Sequence, residues 1–307
     1  MDDDLRKDLA REDIKRKNGG KRIIESKYVP KYPISAEREY IRLINAYMII
    51  EREVLKQFIP DIKQAINDGT RYRTDSKKDN EEERKKKRIS TIDNTIVRLS
   101  LIFERILREL NTAFGLFDLK REINRIADIE HKLTVREWKK AVKKTLGIDI
   151  LEDYYSGEHY KEMLEKWVSD NVDLIKAIPN QSLDRMKEIV YRNYMRGTTT
   201  TDIVKEIQRE YGIGKRHARL IARDQTAKLN ADITESQQRD AGIKYYRWSG
   251  VMDERERPSH RRLQGKIISW DNPPETDGGR RCHPGEDYQC RCCASPVFDI
   301  DNLDIPV

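Results

Sequence analysis

The chain has 307 residues, of which 37% are charged and 37% hydrophobic, and its 61 Lys and Arg against 54 Asp and Glu leave a formal net charge of +7. An ordinary globular domain carries about 25% charged and about 45–50% apolar residues, so much of this chain is wet surface, extended helix or linker. The most apolar run, Ile44 to Ile50, falls far short of the about 20 residues that cross a bilayer, which excludes an integral helical membrane protein; the acidic start Met1-Asp2-Asp3-Asp4 also lacks the order of a secretory signal, so general export is not expected.

Residues 1–35 are polar, and Tyr28-Val29-Pro30-Lys31-Tyr32-Pro33 favours extended backbone because proline fixes its own φ and restricts the residue before it. They read as an arm, docked on something or mobile. Ser35 can cap a helix in which Tyr40, Ile44, Tyr47, Met48, Leu55 and Phe58 form one apolar stripe. Pro60 is expected to kink or restart it, and Asp68-Gly69 to stop it. Residues 69–88 lose nearly all apolar content, and 77–88 are charged except for Asn80. That segment reads as a solvated helix with Glu81–Lys85 and Glu82–Lys86 pairs, or as a linker.

Helical periodicity resumes at Ile89 and runs to Phe117, then through 119–131 and 134–146, where Thr134-Val135-Arg136-Glu137 resembles a capping box and Gly147 closes the helix. Amphipathic helix is expected again at 158–177 and 182–196, separated by Pro179. Thr198 to Asp202 offer caps for a helix to Tyr211, Gly212-Ile213-Gly214 is expected to break it, and a long helix follows from Lys215 to Asp240. Beyond Gly242 the texture changes to short β-prone runs at 244–248, 266–270 and 294–298. The fold class is therefore mainly α with a C-terminal α+β domain: long amphipathic helices followed by a small mixed β unit. Residues 36–180 form the helical region, and 299–307 a tail.

All four cysteines, Cys282, Cys290, Cys292 and Cys293, lie near the C-terminus. A structural zinc would take four thiolate or imidazole ligands. Cys282, Cys290 and Cys292 with His260 form one such set, with His283 in place of His260 as the alternative. Reduced packing cysteines, or a disulfide formed later outside the cell, remain the competing readings. His260 also lies near Asp253, Glu254 and Glu256, a combination able to bind a catalytic metal or move protons. The acids alternate with arginines there, however, which makes salt bridging the simpler account. No phosphate-cradling glycine loop, zinc-protease helix or nucleophile elbow occurs, and the chain is expected not to be an enzyme. Between Lys205 and Ala231 seven basic residues oppose three acids. Lys215, Arg216, Arg219 and Arg223 are the candidate phosphate contacts, a solvated helix face being the competing account.

The C-terminal third resembles a known family. Ile221-Ala222-Arg223-Asp224-Gln225-Thr226, Asn230, and Ala241 to Trp248 are followed by Asp253-Glu254-Arg255-Glu256-Arg257-Pro258-Ser259-His260 and Leu263-Gln264-Gly265. Pro284-Gly285, Cys290-Arg291-Cys292 and Pro296-Val297 complete the set. In this order they resemble the phage head morphogenesis domain of the Mu F-like minor head proteins over about 185–298. The motif positions are Arg223, Trp248, Asp253, Arg255, Arg257, His260, Gly265, Cys290, Arg291 and Cys292; Cys282 and Cys293 are departures from the pattern. The resemblance implies a minor structural protein of a tailed-phage head, made in the host cytoplasm and bound inside the head at the portal vertex. Its implied partners are the portal protein and a major capsid or scaffolding protein, with non-specific contact to packaged DNA and no membrane. The implied work is head assembly, genome packaging or delivery. The alternative is a metal-dependent nuclease or toxin-like effector using the His, Cys and acid cluster.

Overall fold

The computed structural model describes residues 3–75, 81–150 and 158–304. Its helices are α1 (Asp3–Lys17), α2 (Ile34–Asp75), α3 (Glu81–Gly115), α4 (Leu119–Leu146), α5 (Glu158–Arg196), α6 (Thr200–Asp240) and the short α7 (Pro258–Leu263). The strands are β1 (Ile23–Glu25), β2 (Tyr245–Ser249), β3 (Ile267–Ser269) and β4 (Cys293–Asp299). They form one antiparallel sheet in the order β1-β4-β2-β3. The chain is thus mainly α with a small C-terminal β unit, and the three β-prone runs fall within two residues of β2, β3 and β4. Of the charged segment 77–88, residues 77–80 lie outside the described residues, and helix begins at Glu81.

Several helices are longer than their breakers suggest. α2 continues through Pro60 and Gly69, α5 through Pro179, and α6 through Gly212 and Gly214. An interior proline costs about 3 kcal/mol, whereas burying each large apolar side chain returns about 1.5–3 kcal/mol. Phe58 and Ile62 on either side of Pro60 are both buried in one cluster, and Ile175 and Leu183 are buried on either side of Pro179. Packing of a continuous stripe therefore outweighs the local breaker.

The chain divides into two compact units, neither contiguous in sequence. One comprises 41–121 and 171–219, and is a helical body from α2, α3, α5 and the start of α6. Its core includes Leu55, Phe58, Ile66, Leu99, Phe103, Ile106, Leu110, Val190 and Ile203. Arg98 pairs with Asp68 at 2.7 Å and Arg105 with Asp61 at 3.3 Å, tying α3 to α2 at the surface.

The other unit comprises 1–40, 122–170 and 220–307. Trp138, Val142 and Leu146 of α4 pack with Ile14 of α1 and with Phe298 and Ile300 at the end of β4. On β2, Tyr246 and Trp248 are buried while Tyr245 is exposed, the period-two alternation of a strand. β4 is buried along its length apart from half-buried Asp299, as befits an inner strand.

Residues 1–35 differ from an extended arm: α1 is a helix, and β1 pairs with β4 through Ile23↔Asp299, Ile24↔Phe298 and Glu25↔Val297. The remainder docks on its own chain. Lys31 N–H donates to Glu137 at 3.1 Å, Tyr28 Oη donates to the same carboxylate, and Arg247 donates to the Ser26 carbonyl at 2.6 Å. The physical reason is that an unpaired edge of β4 needs partners for its backbone, and β1 supplies them. Gly242 follows α6 with φ +75°, and a Cβ there would lie 2.2 Å from the Asn302 carbonyl oxygen. Only glycine fits that approach.

Candidate functional site

The loop after β2 turns back at Asp253, where Glu256 N–H donates to the Asp253 carbonyl at 3.1 Å. It enters α7 with Arg257 extended at the cap and Pro258 in the first turn, where its missing N–H costs nothing. Glu256 lies just before this cap, outside α7, and the entry into the helix brings its carboxylate to the buried His260: His260 Nδ1 and Glu256 Oε1 are 3.5 Å apart. Cys290 and Cys292 lie two residues apart just before β4, and both reach His260 Nδ1, at 3.6 and 3.4 Å, while Cys293, the first residue of β4, does not join them.

His260, Cys290 and Cys292 are each buried, and their ligand atoms lie within 4.8 Å of one another. Of the sequence-predicted zinc set, these three come together. Cys282 and His283 do not join the group. Cys282 is half-buried near Thr276, and His283 turns into an aromatic nest, with Tyr246 Oη 2.9 Å from Nδ1 and the Trp270 ring 4.8 Å away. The extra cysteine sits on the wrong side of the 283–289 turn, and Glu256 takes the place beside the cluster: Cys292 Sγ donates to its Oε1 at 3.2 Å.

The surroundings are polar and ordered. His260 Nε2 lies 3.3 Å from Asp287 Oδ2, and Asp287 is itself held by Arg257 at 2.9 Å and Arg280 at 2.8 Å. Burial opposes charge on His260, but hydrogen bonding to Cys290 and then to Asp287 outweighs it and raises its pKa. Cys290 is held well below the usual thiol range, first by the Cys292 thiol beside it and then by His260 and the Cys292 N–H. Burial pushes the Cys293 thiol up to about 12. Asp287 and Asp224 were not singled out by sequence. Asp224, buried on α6, accepts from Gln289 N–H at 2.9 Å and pairs with Lys228 at 2.7 Å, so it anchors the loop at Gln289, whose φ is +52°. The pairing of Asp287 was not visible because its partners lie 7 to 30 residues away in sequence, though its place three residues before Cys290 marks the turn.

Beside the cluster a cleft of about 140 Å³ is lined by Arg223, Arg255, Arg257 and Arg291 with Gln289, Glu256, His260 and Cys290. Each arginine already has an acid. Arg291 grips Asp253 with both nitrogens at 2.7 and 2.8 Å, holding that carboxyl down to about 2; Arg255 also reaches Asp253 at 3.5 Å, and Arg223 reaches Glu37 at 3.5 Å. The alternating acids and arginines are thus a salt-bridged frame. Of the other phosphate candidates, Arg216 and Arg219 are exposed, and the Lys215 side chain lies outside the described residues.

Two motif positions shape the β2–β3 connection beside the cluster. Trp248 is fully buried, edge-on to His260 with ring centroids 5.3 Å apart. Gly265 closes the β2–β3 connection with φ +75° and donates to the Trp248 carbonyl at 2.9 Å. A Cβ there would meet nothing within 4 Å, so Gly265→Ala is expected to cost only the left-handed penalty, about 1–2 kcal/mol, read as a shift in denaturant midpoint. A loss above about 3 kcal/mol would contradict that open space.

No helix among the described residues is long and apolar enough to cross a membrane. No solved structure matches the chain. An uncharacterized protein of Haemophilus influenzae is 36% identical over 159 residues, which cover 52% of this chain and 34% of that protein; the chain thus spans about a third of the relative's length. Residues 184–295, from the second half of α5 to the middle of β4, match the family described as Phage Mu protein F like protein. That span contains the His260 cluster and its arginine frame, so it is over these residues that the chain is similar to the phage Mu protein F like family.

Proposed function

We propose that the protein is a minor, non-enzymatic structural component of a tailed-phage head, bound at the portal vertex and acting in head assembly and in packaging or delivery of the genome. The observation that carries this reading is the ordered motif set from Arg223 to Cys292 within the matched span 184–295. Two features support it. His260 is 2% exposed and its acidic neighbours are engaged by arginines and backbone, so the cluster suits holding a fold together better than turning over a substrate. The helical unit of 41–121 and 171–219 offers long surfaces for a protein ring. Its partners are a portal protein and a capsid or scaffolding protein. Phosphate contact falls to Arg216 and Arg219, which lie one helical turn apart on α6, while Arg223 is committed to Glu37.

The test is fractionation of particles from cells making the phage, with the full chain followed by immunoblot or mass spectrometry. Procapsids and portal complexes should both carry it in a few copies per portal ring. Its absence from procapsids and mature particles alike would overturn the reading.

A further inference from the structure

We propose that His260 Nδ1, Cys290 Sγ, Cys292 Sγ and Glu256 Oε1 form a tetrahedral structural zinc site. The proposal does not depend on the phage-head reading. Zinc bound at about 2.3 Å to sulfur and about 2.0–2.2 Å to nitrogen and oxygen, at tetrahedral angles, sets the edges of its ligand shell. The S···N edge comes to about 3.5–3.6 Å, the N···O edge to about 3.4 Å and the S···O edge to about 3.6 Å. The chain places Cys290 and Cys292 sulfur 3.6 and 3.4 Å from His260 Nδ1, Glu256 Oε1 3.5 Å from the same nitrogen, and Cys292 sulfur 3.2 Å from Glu256 Oε1.

Three of the four ligands are also held from behind, as metal ligands are. Asp287 takes the second imidazole nitrogen at 3.3 Å, which assigns Nε2–H to the carboxylate and frees Nδ1. Gly285 and Cys292 N–H both donate to Cys290 sulfur at 3.4 Å, support suited to a thiolate. Val251 and Met252 N–H donate to Glu256 Oε2 at 3.1 and 3.3 Å, leaving Oε1 turned to the centre. Two sulfurs, one imidazole and one carboxylate suit zinc among the common divalent ions. Four protein ligands leave no open position, so the site is structural, and the thiol protons are released to solvent on binding. The ion would staple the loop after β2 to the segment entering β4, Glu256 and Cys292 being 36 residues apart.

The test uses the full chain. Element analysis of protein purified without chelator should find about one zinc per chain. Replacement by Co²⁺ should give visible bands of a tetrahedral site and a near-ultraviolet thiolate band. Cys290→Ser and Cys292→Ser should lose the thiolate signal and Cys282→Ser should keep it. Asp287→Asn should keep the same spectrum but weaken Co²⁺ binding about 10- to 100-fold. Should either serine variant fail to fold, the wild-type Co²⁺ spectrum still decides. Folded wild-type protein with neither near-stoichiometric zinc nor a Co²⁺ thiolate band would overturn the site, and so would loss of metal in Cys282→Ser.

Discussion

Trp248→Ala is expected to lower the stability of the sheet-containing unit by about 3–5 kcal/mol, a large share of the about 5–15 kcal/mol that holds a typical domain folded. The indole is fully buried among Tyr246, Leu263, Trp270, Cys290, Cys292 and Ala294. Its Nε1 has no hydrogen-bond partner, so truncation orphans no acceptor and the cost is volume and lost contact alone. The backbone bonds of Trp248 to Lys266 and Gly265 survive in the variant, which keeps the β2–β3 connection and confines the damage to the core. Denaturant unfolding followed by circular dichroism checks this; a loss below about 1 kcal/mol would mean that the cluster around His260 is not a packed core.

Glu51→Met is expected to stabilise the helical unit by about 2–3 kcal/mol at pH 8 and to leave it unchanged at pH 4. Glu51 lies on α2 and is 1% exposed, with no partner for Oε1. Burial raises its pKa from 4.5 to about 7; the hydrogen bond with Ser182 opposes the shift and Glu210 adds to it. A carboxyl with a raised folded pKa favours the folded state only while protonated in both states. Its contribution is fully present below about pH 4.5, falls as the pH rises to about 7, and is flat above. Methionine has similar length and nothing to ionise, so it removes that loss. Equal stability gains at pH 4 and pH 8 would show that Glu51 is not the titrating group.

The ordered motifs of the C-terminal third were legible because each has a local cause. Cys290 and Cys292 are two residues apart just before β4, Glu256 and His260 are four apart across the entry to α7, and Gly265 is set by a positive φ. The fourth neighbour of the cluster was not legible as such. Cys282 and Glu256 are both within reach by sequence, and the choice between them depends on how the chain from 261 to 289 folds back. β1 was missed because a three-residue strand has no signal of its own. Its partner Phe298 lies 274 residues beyond Ile24, and only tertiary pairing makes the strand. Pro60, Pro179 and the Gly212–Gly214 pair are local breakers that point to helix ends, yet the helices run through them, and buried residues flank both prolines.

The sequence by itself determined the mainly helical class, the three C-terminal strands and the family motif. These follow from periodicity, turn residues and spacing, which act over a few residues. The tertiary structure alone decided that residues 1–40 and 122–170 join the C-terminal segment in one unit while 41–121 and 171–219 form another. It alone set Glu256 and Asp287 on either side of His260. The reason is that long-range burial and ion pairing are collective: Trp138 becomes a core residue only when Phe298 and Ile14 arrive, and Asp287 becomes an orienting group only when Arg257 and Arg280 neutralise it. Neither condition is written in the local sequence.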